Sequence, residues 1–180
     1  GDSAWEAIPS STGFFALRSE YLVAVKQTSF KMGHRPDALY IAVRCDDPDV
    51  AEIRSAARDD DVRIWEEDSV EIFLFPEGTA RYLQFMVSAA GARWNGKGSP
   101  HSPPVSLGNW QAKTSRGTDH WTAEIRIPFA ALGKVPADGE AWTGNVCRNV
   151  LTSGSMRGDG YGDRFSSWTN QEAGFHETDR

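Results

Sequence analysis

Long apolar runs are absent from this sequence, and none approaches the roughly 20 residues that a membrane-spanning helix needs. Basic residues are outnumbered, and the formal net charge of −6 disfavours nucleic acid and anionic membranes as partners. Repeats, low-complexity tracts and linker-like stretches are also missing, which predicts a single domain over residues 1–180. No signal-peptide pattern follows Gly1, so the N-terminus by itself predicts no cellular location.

Motifs of common enzyme classes are missing too. No glycine-rich phosphate loop follows a strand-like run, no Gly-x-Ser-x-Gly occurs, and the four histidines lack zinc-site spacing. Carboxylates are abundant, so composition alone leaves a glycosidase pair open, but no spacing places two of them across a cleft. We therefore predict a protein that is not an enzyme and needs no organic cofactor.

Cysteine is scarce. Cys45 and Cys147 are the two cysteines, and both lie in strand-like runs. One disulfide and two buried thiols are equally compatible with this number and placement.

Alternation of polar and apolar residues is clearest in the middle of the chain. Residues 68–75 place aliphatic side chains on one side and Glu71 with two phenylalanines on the other. Residues 82–89 alternate in the same way, and residues 76–81 have the composition of a turn. A period of two predicts strands, so these runs form an antiparallel hairpin near the middle of a sheet.

Further strand-like runs are spread along the chain at residues 21–28, 39–45, 110–114, 121–127, 142–151 and 165–168. Residues 50–58 are predicted to form the only helix of any length, and residues 128–133 a single helical turn closed by glycine. Residues 93–107 and 153–163, rich in Gly and Ser, are predicted loops. Many short strands and little helix predict an all-β fold, an antiparallel β-sandwich of immunoglobulin-like or jelly-roll type with one short helix.

Several motifs follow one another along the chain: Trp65-x-x-Asp68-x-Val70-Glu71-Ile72, Tyr82-x-Gln84-Phe85-x-Val87, Trp121-x-x-Glu124-x-x-Ile127-Pro128-Phe129 and Trp142-x-x-Asn145-x-x-Arg148. Leu39-Tyr40-Ile41 and Phe175-His176 extend this series over most of the chain. The order of these motifs resembles that of the family 9 carbohydrate-binding modules. The resemblance implies a non-catalytic β-sandwich that grips the end of a sugar chain, a mono- or oligosaccharide or a polysaccharide end. It also implies an extracellular or periplasmic location and attachment to a polysaccharide-processing enzyme.

The resemblance implies that Trp65 and Trp168 face each other across the sugar, with Glu71 as a hydroxyl-binding carboxylate. This chemistry is sensible, because the C–H faces of a pyranose lie flat on aromatic rings while its hydroxyls need polar partners. The remaining candidate sugar-binding residues are Arg93, Arg148, Asn149 and Asn170.

Purely structural roles are the alternatives for these residues. Glu71 alternatively forms a salt bridge with Arg44 or Arg148 across the sheet. Large rings dominate protein cores, and four further tryptophans are predicted to fill the core: Trp5, Trp110, Trp121 and Trp142. The pair Trp94-Asn95 lines the sugar site or merely packs its loop.

Family members also carry structural calcium, which prefers six to eight oxygen ligands. Acidic stretches here offer such oxygens, and the predicted ligands are Asp46, Asp47, Asp159 and Asp163. Family members usually continue past the Phe-His pair with a final strand. Only residues 177–180 follow it here, so one sheet edge is expected to lack its last strand.

A rival function comes from related sandwiches, the DOMON type, which bind haem through a methionine and a histidine. Met86 on the mixed face of its strand and His176 near the C-terminus are the corresponding residues. A methionine on a half-apolar strand face is ordinarily a packing residue, which weighs against a haem-binding electron carrier. The third possibility is a spacer or interaction module without a site.

Overall fold

Ten strands build the described part of the computed structural model, which covers residues 3–19, 21–53, 56–79, 81–98, 108–151, 164–172 and 174–176. In chain order the strands are β1 (Phe15–Ala16), β2 (Thr28–Arg35), β3 (Ala38–Asp46), β4 (Ser69–Phe75), β5 (Leu83–Ser88), β6 (Arg93–Lys97), β7 (Gln111–Arg116), β8 (His120–Pro128), β9 (Thr143–Asn149) and β10 (Phe165–Ser167). Helix α1 (Phe129–Leu132) is one turn long, and 3-10 turns occupy Ser3–Trp5, Val50–Glu52 and Val62–Glu66. In the part of the chain described here, no helix combines the length and apolarity needed to cross a membrane.

Two antiparallel sheets face each other. One has six strands in the order β1-β10-β9-β4-β5-β6, and the other has four in the order β2-β3-β8-β7. The predicted central hairpin is confirmed, since β4 pairs with β5 and lies inside the six-stranded sheet. The predicted all-β sandwich is confirmed as well.

The main core fills the space between the sheets. Val70, Ile72 and Leu74 of β4 point into it, opposite alternate residues of β3 and β8 such as Ile41 and Ile125. Period-two alternation produces this face, because successive strand side chains point to opposite sides.

The outer face of the six-stranded sheet, which points away from the four-stranded sheet, is also largely covered. One apolar group on it combines Leu17, Phe73, Tyr82, Cys147, Phe165 and Phe175, and a second combines Ile64, Met86 and Trp94. Both faces of β4 are therefore buried along most of its length. Glu71, the charged residue of β4 on this outer face, is therefore buried.

The two cysteines are free thiols on opposite sides of the six-stranded sheet. Cys45 belongs to the core between the sheets, whereas Cys147 lies on the outer face. Burial raises the pKa of the Cys45 thiol to about 11 and raises that of Cys147 as well. The alternative of two buried thiols is thus confirmed.

Three local predictions are wrong. Residues 21–25 are not a regular strand: Tyr21 has a φ of 73°, Val23 makes only an isolated bridge to Phe15, and β2 begins at Thr28. Residues 93–97, expected to be irregular, form β6 beside β5.

The predicted helix over residues 50–58 is reduced to the 3-10 turn Val50–Glu52. The backbone amides of Ala56 and Ala57 donate instead to the Glu67 carboxylate, at 2.5 and 2.6 Å. A side-chain acceptor that captures backbone amides competes with the helix for them, which accounts for the difference.

Candidate functional site

Glu71 is the centre of a polar cluster on the outer face of the six-stranded sheet. Its carboxylate accepts two amide hydrogen bonds, from Asn149 Nδ2 at 2.8 Å and from Gln84 Nε2 at 2.6 Å. Asn149 comes from β9 and Gln84 from β5, the strands on either side of β4. The alternative of a salt bridge to arginine is wrong, because Arg44 pairs with aspartates and Arg148 points into the other face of the sheet.

The electrostatic state of Glu71 follows from its burial. The side chain is only 3% exposed, and burial raises the pKa of the carboxyl, while the bonds from Asn149 and Gln84 act to lower it. Both amides point their NH2 groups at the carboxylate. Their carbonyl oxygens, Gln84 Oε1 and Asn149 Oδ1, are consequently buried without a hydrogen-bond partner. Buried unpaired acceptors are costly, so this cluster is suited to a ligand that brings hydrogen-bond donors.

A cavity of about 280 Å³ lies against this cluster, and we call it the Trp65 cavity. Glu71, Gln84 and Asn149 supply its polar lining. Its other lining residues are mainly apolar or aromatic: Leu17, Val62, Trp65, Met86, Phe165, Gly174, Phe175 and His176. The volume is close to the lower end of the ~300–1,000 Å³ range typical of small-ligand pockets.

The Trp65 ring is held at this cavity by the 3-10 turn Val62–Glu66. Asp61 caps the turn by accepting from the backbone amide of Arg63 at 3.0 Å. Ile64, fully buried, packs against Met86 and Trp94 and fastens the turn to the sheet. Trp65 itself stays 41% exposed, so the turn presents an aromatic face to solvent beside a buried carboxylate.

Trp168 lines a different cavity, of about 340 Å³, which we call the Trp168 cavity. It lies where β4 ends and β9 begins, and its lining includes Phe73, Trp142 and Asn145. Trp168 is 39% exposed and packs edge-to-face on Phe30 of the opposite sheet, with ring centroids 5.2 Å apart. Among the described residues, the structure does not bring Trp65 and Trp168 into one cavity, and their facing arrangement stays a prediction.

Three other residues that were predicted to bind sugar do not line the Trp65 cavity. Arg93 pairs with Asp59 at 3.0 Å and donates to the carbonyl of Trp110. Arg148 is fully buried between the sheets. Asn170 is not among the residues that line either cavity, and its Oδ1 is buried without a partner.

The calcium candidates are placed as follows. Both oxygens of Asp47 are paired with cationic side chains, Oδ1 with Lys26 at 2.6 Å and Oδ2 with Arg148 at 3.0 Å. Asp46 is exposed and pairs with Arg44. Asp159 and Asp163 lie outside the described residues, within which no group of three or more potential metal ligands occurs. Calcium binding therefore stays a prediction.

The residues that suggested haem both line the Trp65 cavity. Met86 is nearly fully buried against Ile64 and Trp94. The His176 ring packs against Phe73, and its Nδ1 is 2.7 Å from the Tyr82 hydroxyl. Both side chains thus have packing roles in the protein as it stands.

Sequence reasoning missed several lining residues. Gln84 alternates onto the same face as Glu71, and that parity was the signal for it. Trp142 was assigned to the core, and it does pack against the main core, but it is half-buried and also lines the Trp168 cavity with Asn145. Trp94, by contrast, is fully buried and packs under the Trp65 turn, so of its two predicted roles packing is confirmed.

The two facing sheets, with an aromatic-walled cavity on one outer face, are typical of β-sandwich binding modules. The family described as "Carbohydrate family 9 binding domain-like" matches residues 1–178, and the chain belongs to this family. The family resemblance inferred from the motifs is thereby confirmed. Among curated proteins, none matches the chain.

Solved structures share the fold at low sequence identity. A Bacteroides uniformis protein to which carbohydrate binding is ascribed has a TM-score of 0.71 and 20% identity, over 94% of this chain and 80% of that one. A family 9 module from Caldicellulosiruptor kristjanssonii, in complex with cellotriose, has a TM-score of 0.61 and 21% sequence identity, over 84% of this chain and 70% of that one. A family 9 module from the same organism, in complex with glucose, has a TM-score of 0.65 and 19% sequence identity, over 96% of this chain and 84% of that one.

Proposed function

We propose that this chain binds carbohydrate without chemical turnover and that the Trp65 cavity holds the sugar. One observation carries the proposal: a buried carboxylate with two buried, unpaired amide carbonyls lies beside an exposed tryptophan ring. Family membership supports the same function.

The two kinds of surface in the cavity match the two kinds of surface on a pyranose. The C–H face of the sugar ring packs on Trp65, which supplies apolar area and dispersion contact. Sugar hydroxyls donate to Gln84 Oε1 and Asn149 Oδ1, which satisfies acceptors that are otherwise buried unpaired. Glu71 holds both amides in this orientation and is itself a strong acceptor for a third hydroxyl.

Glucose and short β-glucans are the first ligands to test, because related modules have been solved with glucose and with cellotriose. We further propose that the sugar is the end of a polysaccharide chain. The module then directs an attached polysaccharide-processing enzyme to its substrate, outside the cytoplasm. In the family such modules also carry calcium, which we retain as a proposal for this chain.

Calorimetric titration with a panel of monosaccharides and oligosaccharides tests the site directly. Trp65→Ala should abolish measurable binding while the melting temperature changes little, because the ring is partly exposed and Ile64 still anchors the turn. Trp5→Ala is the matched control, since this half-buried tryptophan lines a groove on the four-stranded sheet. A wild-type protein that binds no sugar in the panel would refute the proposed function.

The haem alternative has one observation in its favour, since Met86 and His176 line the same cavity. It requires both side chains to leave their present contacts and ligate iron. The purified protein reconstituted with haem should show no Soret shift beyond that of free haem. A shifted band that Met86→Ala or His176→Ala removes would establish the electron-transfer alternative instead.

A further inference from the structure

A large groove lies on the outer face of the four-stranded sheet, and we call it the Trp5 groove. It shares no lining residue with the Trp65 cavity or the Trp168 cavity. We propose that the Trp5 groove binds an acidic oligosaccharide, a short chain of sugars that carry carboxylate groups. Both the location of this site and the charge of its ligand differ from those of the Trp65 cavity, so the two sites stand or fail independently.

The floor of the groove includes one row of residues that runs across all four strands. Gly33 of β2 lies opposite Tyr40 of β3. Tyr40 lies opposite Arg126 of β8, which in turn lies opposite Gln111 of β7. Neighbouring strands are about 4.8 Å apart, so this row is roughly 14 Å long. The volume is about 970 Å³, against about 280 Å³ for the Trp65 cavity, and it suits a chain of sugars better than a single ring.

The N-terminal segment supplies an aromatic and apolar wall beside β2. Lys31 Nζ donates to the backbone carbonyl of Trp5 at 2.7 Å, which attaches the first 3-10 turn to the sheet. Ile8 packs over Gly33, where an added Cβ would lie only 2.8 Å from Ile8 Cδ1. Trp5 and Tyr40, both half-buried, therefore offer two rings to a ligand in the groove. The C–H faces of sugars pack on such rings.

The charge of the groove is opposite in sign to that of the whole chain. The chain has 19 basic and 25 acidic residues, whereas four cationic side chains and two carboxylates line the groove: Arg35, Arg93, Lys113 and Arg126, with Asp59 and Glu124. Arg93 and Asp59 pair with each other. In the part of the chain that the structure describes, Arg35 and Lys113 form no ion pair. A positive groove on an acidic protein favours an anionic ligand.

Arg126 is held in place to receive a ligand carboxylate. Its Nε donates to the Tyr40 hydroxyl at 3.2 Å and its Nη2 to Asp37 Oδ2 at 2.6 Å. These bonds fix the plane of the guanidinium, and Nη1 makes no hydrogen bond to any described residue. Even with Asp37 counted, cations outnumber carboxylates in the groove. Gln111 opposite Arg126 and Lys113 diagonal to it are within reach of the same carboxylate.

A sugar that carries a carboxylate matches this combination of rings and cations. Its C–H faces pack on Trp5 and Tyr40, and the carboxylate at the edge of its ring forms charge-assisted hydrogen bonds with Arg126 and Lys113. An acidic peptide also offers carboxylates, but it lacks the flat C–H face that the two aromatic rings fit. The groove therefore favours the sugar.

Calorimetric titration with trigalacturonate and with its methyl ester tests the proposal, because the two chains differ in charge. Wild-type protein should bind the acid about tenfold or more tightly than the ester, the effect of one charge-assisted hydrogen bond, and added salt should reduce this preference. Lys113→Gln should weaken binding of the acid about twofold to fivefold. Glu124→Gln should strengthen it about as much, because a like charge is removed. Trp5→Ala should weaken it about twofold to tenfold through lost stacking.

Arg63→Gln is the matched control for charge. It removes one exposed cation from the Trp65 turn, on the opposite face of the sandwich, and should leave the affinity for the acid unchanged. A loss equal to that of Lys113→Gln would mean that only overall charge matters, and the proposal would be wrong. Equal affinity for the acid and the ester would also refute it. Equal affinity for triglutamate would make the groove a peptide or general anion site instead of a sugar site.

Competition separates this site from the Trp65 cavity. Trp65→Ala and an excess of glucose should each leave the affinity for trigalacturonate unchanged. If either abolishes binding of the acid, the acid occupies the Trp65 cavity and the proposal is wrong. If wild-type protein binds trigalacturonate but no neutral sugar, the function proposed for the Trp65 cavity fails while the Trp5 groove stands.

Discussion

Arg148 Nη2 and Asp47 Oδ2 form an ion pair of 3.0 Å between the two sheets, and both side chains are fully buried. Arg148 Nη1 also donates to the backbone carbonyl of Asp46 at 2.8 Å, and Lys26 Nζ pairs with the other oxygen of Asp47 at 2.6 Å. These contacts join β9 of the six-stranded sheet to the end of β3 in the four-stranded sheet. Arg148 therefore connects the two sheets and does not line the Trp65 cavity.

Arg148→Met should destabilise the protein by about 3–5 kcal/mol, because it leaves Asp47 buried with one cationic partner removed. Equilibrium denaturation with urea measures this loss, and calorimetric titration should show unchanged sugar affinity. Asp47→Asn is the reciprocal variant and should lose stability equally in calcium and in chelator. If Asp47→Asn loses stability only in the presence of calcium, that result would support Asp47 as a metal ligand. If Arg148→Met loses sugar affinity but keeps its stability, Arg148 would belong to the binding site.

Glu71→Gln should weaken sugar binding by about tenfold or more, since a charge-assisted hydrogen bond contributes about 1.5–3 kcal/mol. The new NH2 group faces an NH2 of Gln84 or Asn149, so one of these amides must turn over, which also changes the acceptors offered to the sugar. Titration calorimetry measures the affinity. Glu124→Gln, an exposed change on the other sheet, is the control and should have no effect.

The contribution of Glu71 to stability and its contribution to sugar binding should depend on pH in opposite directions. Burial raises the pKa of Glu71 above its ordinary value of 4.5, so the folded protein holds this proton at a pH where the unfolded chain has released it. The stability from Glu71 is complete below 4.5 and is lost as the pH rises through the folded pKa. Binding needs the carboxylate and should weaken as the pH falls through the same pKa.

Thermal melts and titrations from about pH 7 down to about pH 4 measure both trends against the ordinary carboxyl range. The Glu71→Gln variant has no titrating group at this position. The part of the pH dependence of melting temperature and of sugar affinity that comes from Glu71 should therefore be absent from it. An identical pH dependence of binding in wild type and Glu71→Gln would show that another group controls the affinity.

Gly96→Ala should disturb the Trp65 cavity indirectly, by displacing Trp94, which packs against the turn that carries Trp65. A Cβ at Gly96 would lie 2.1 Å from the Trp94 ring, so the ring must move, and Trp94 supports Ile64 and the Trp65 turn. We expect a lower melting temperature and weaker sugar binding together. Adding Trp94→Phe makes room for the new methyl group and should recover part of both losses, a coupling that a double-mutant cycle measures. Additive effects of the two changes would contradict the predicted contact.

The alternation of polar and apolar residues predicted the strands more accurately than it predicted which strand faces are covered by another layer of the protein. The patterns of β3, β4, β5 and β8 mark which side chains share a face, and the structure confirms these faces. Alternation also occurs in residues 21–25, but there the apolar side chains are exposed, with Leu22 and Val23 each 60% accessible. A period of two carries no information on whether another layer covers the face, so β2 was placed too early.

The residues of the Trp65 cavity were predicted only in part, because strand alternation shows which residues share a face but not where the loops lie. Glu71 and Asn149 were both chosen and do contact each other, because strand parity places them on one face of adjacent strands. Arg148, one residue before Asn149, necessarily points to the opposite face and into the core. The separation of Trp65 from Trp168 depends on where loops and residues 174–176 lie across the sheet, and strand periodicity does not encode that placement.

Because the tryptophans are buried to different extents, the intrinsic fluorescence of the protein can report on which of them a ligand covers. Trp94 and Trp121 are inaccessible and Trp110 nearly so, whereas Trp65 and Trp168 are the two large exposed indoles, one at each cavity. A soluble quencher such as iodide therefore acts most strongly on these two fluorophores and less on the half-buried Trp5 and Trp142. A ligand that covers Trp65 alone shields one exposed emitter, whereas a ligand that also covers Trp168 shields both. The fraction of emission protected from iodide then counts how many indoles a given sugar occupies, without labelling the protein.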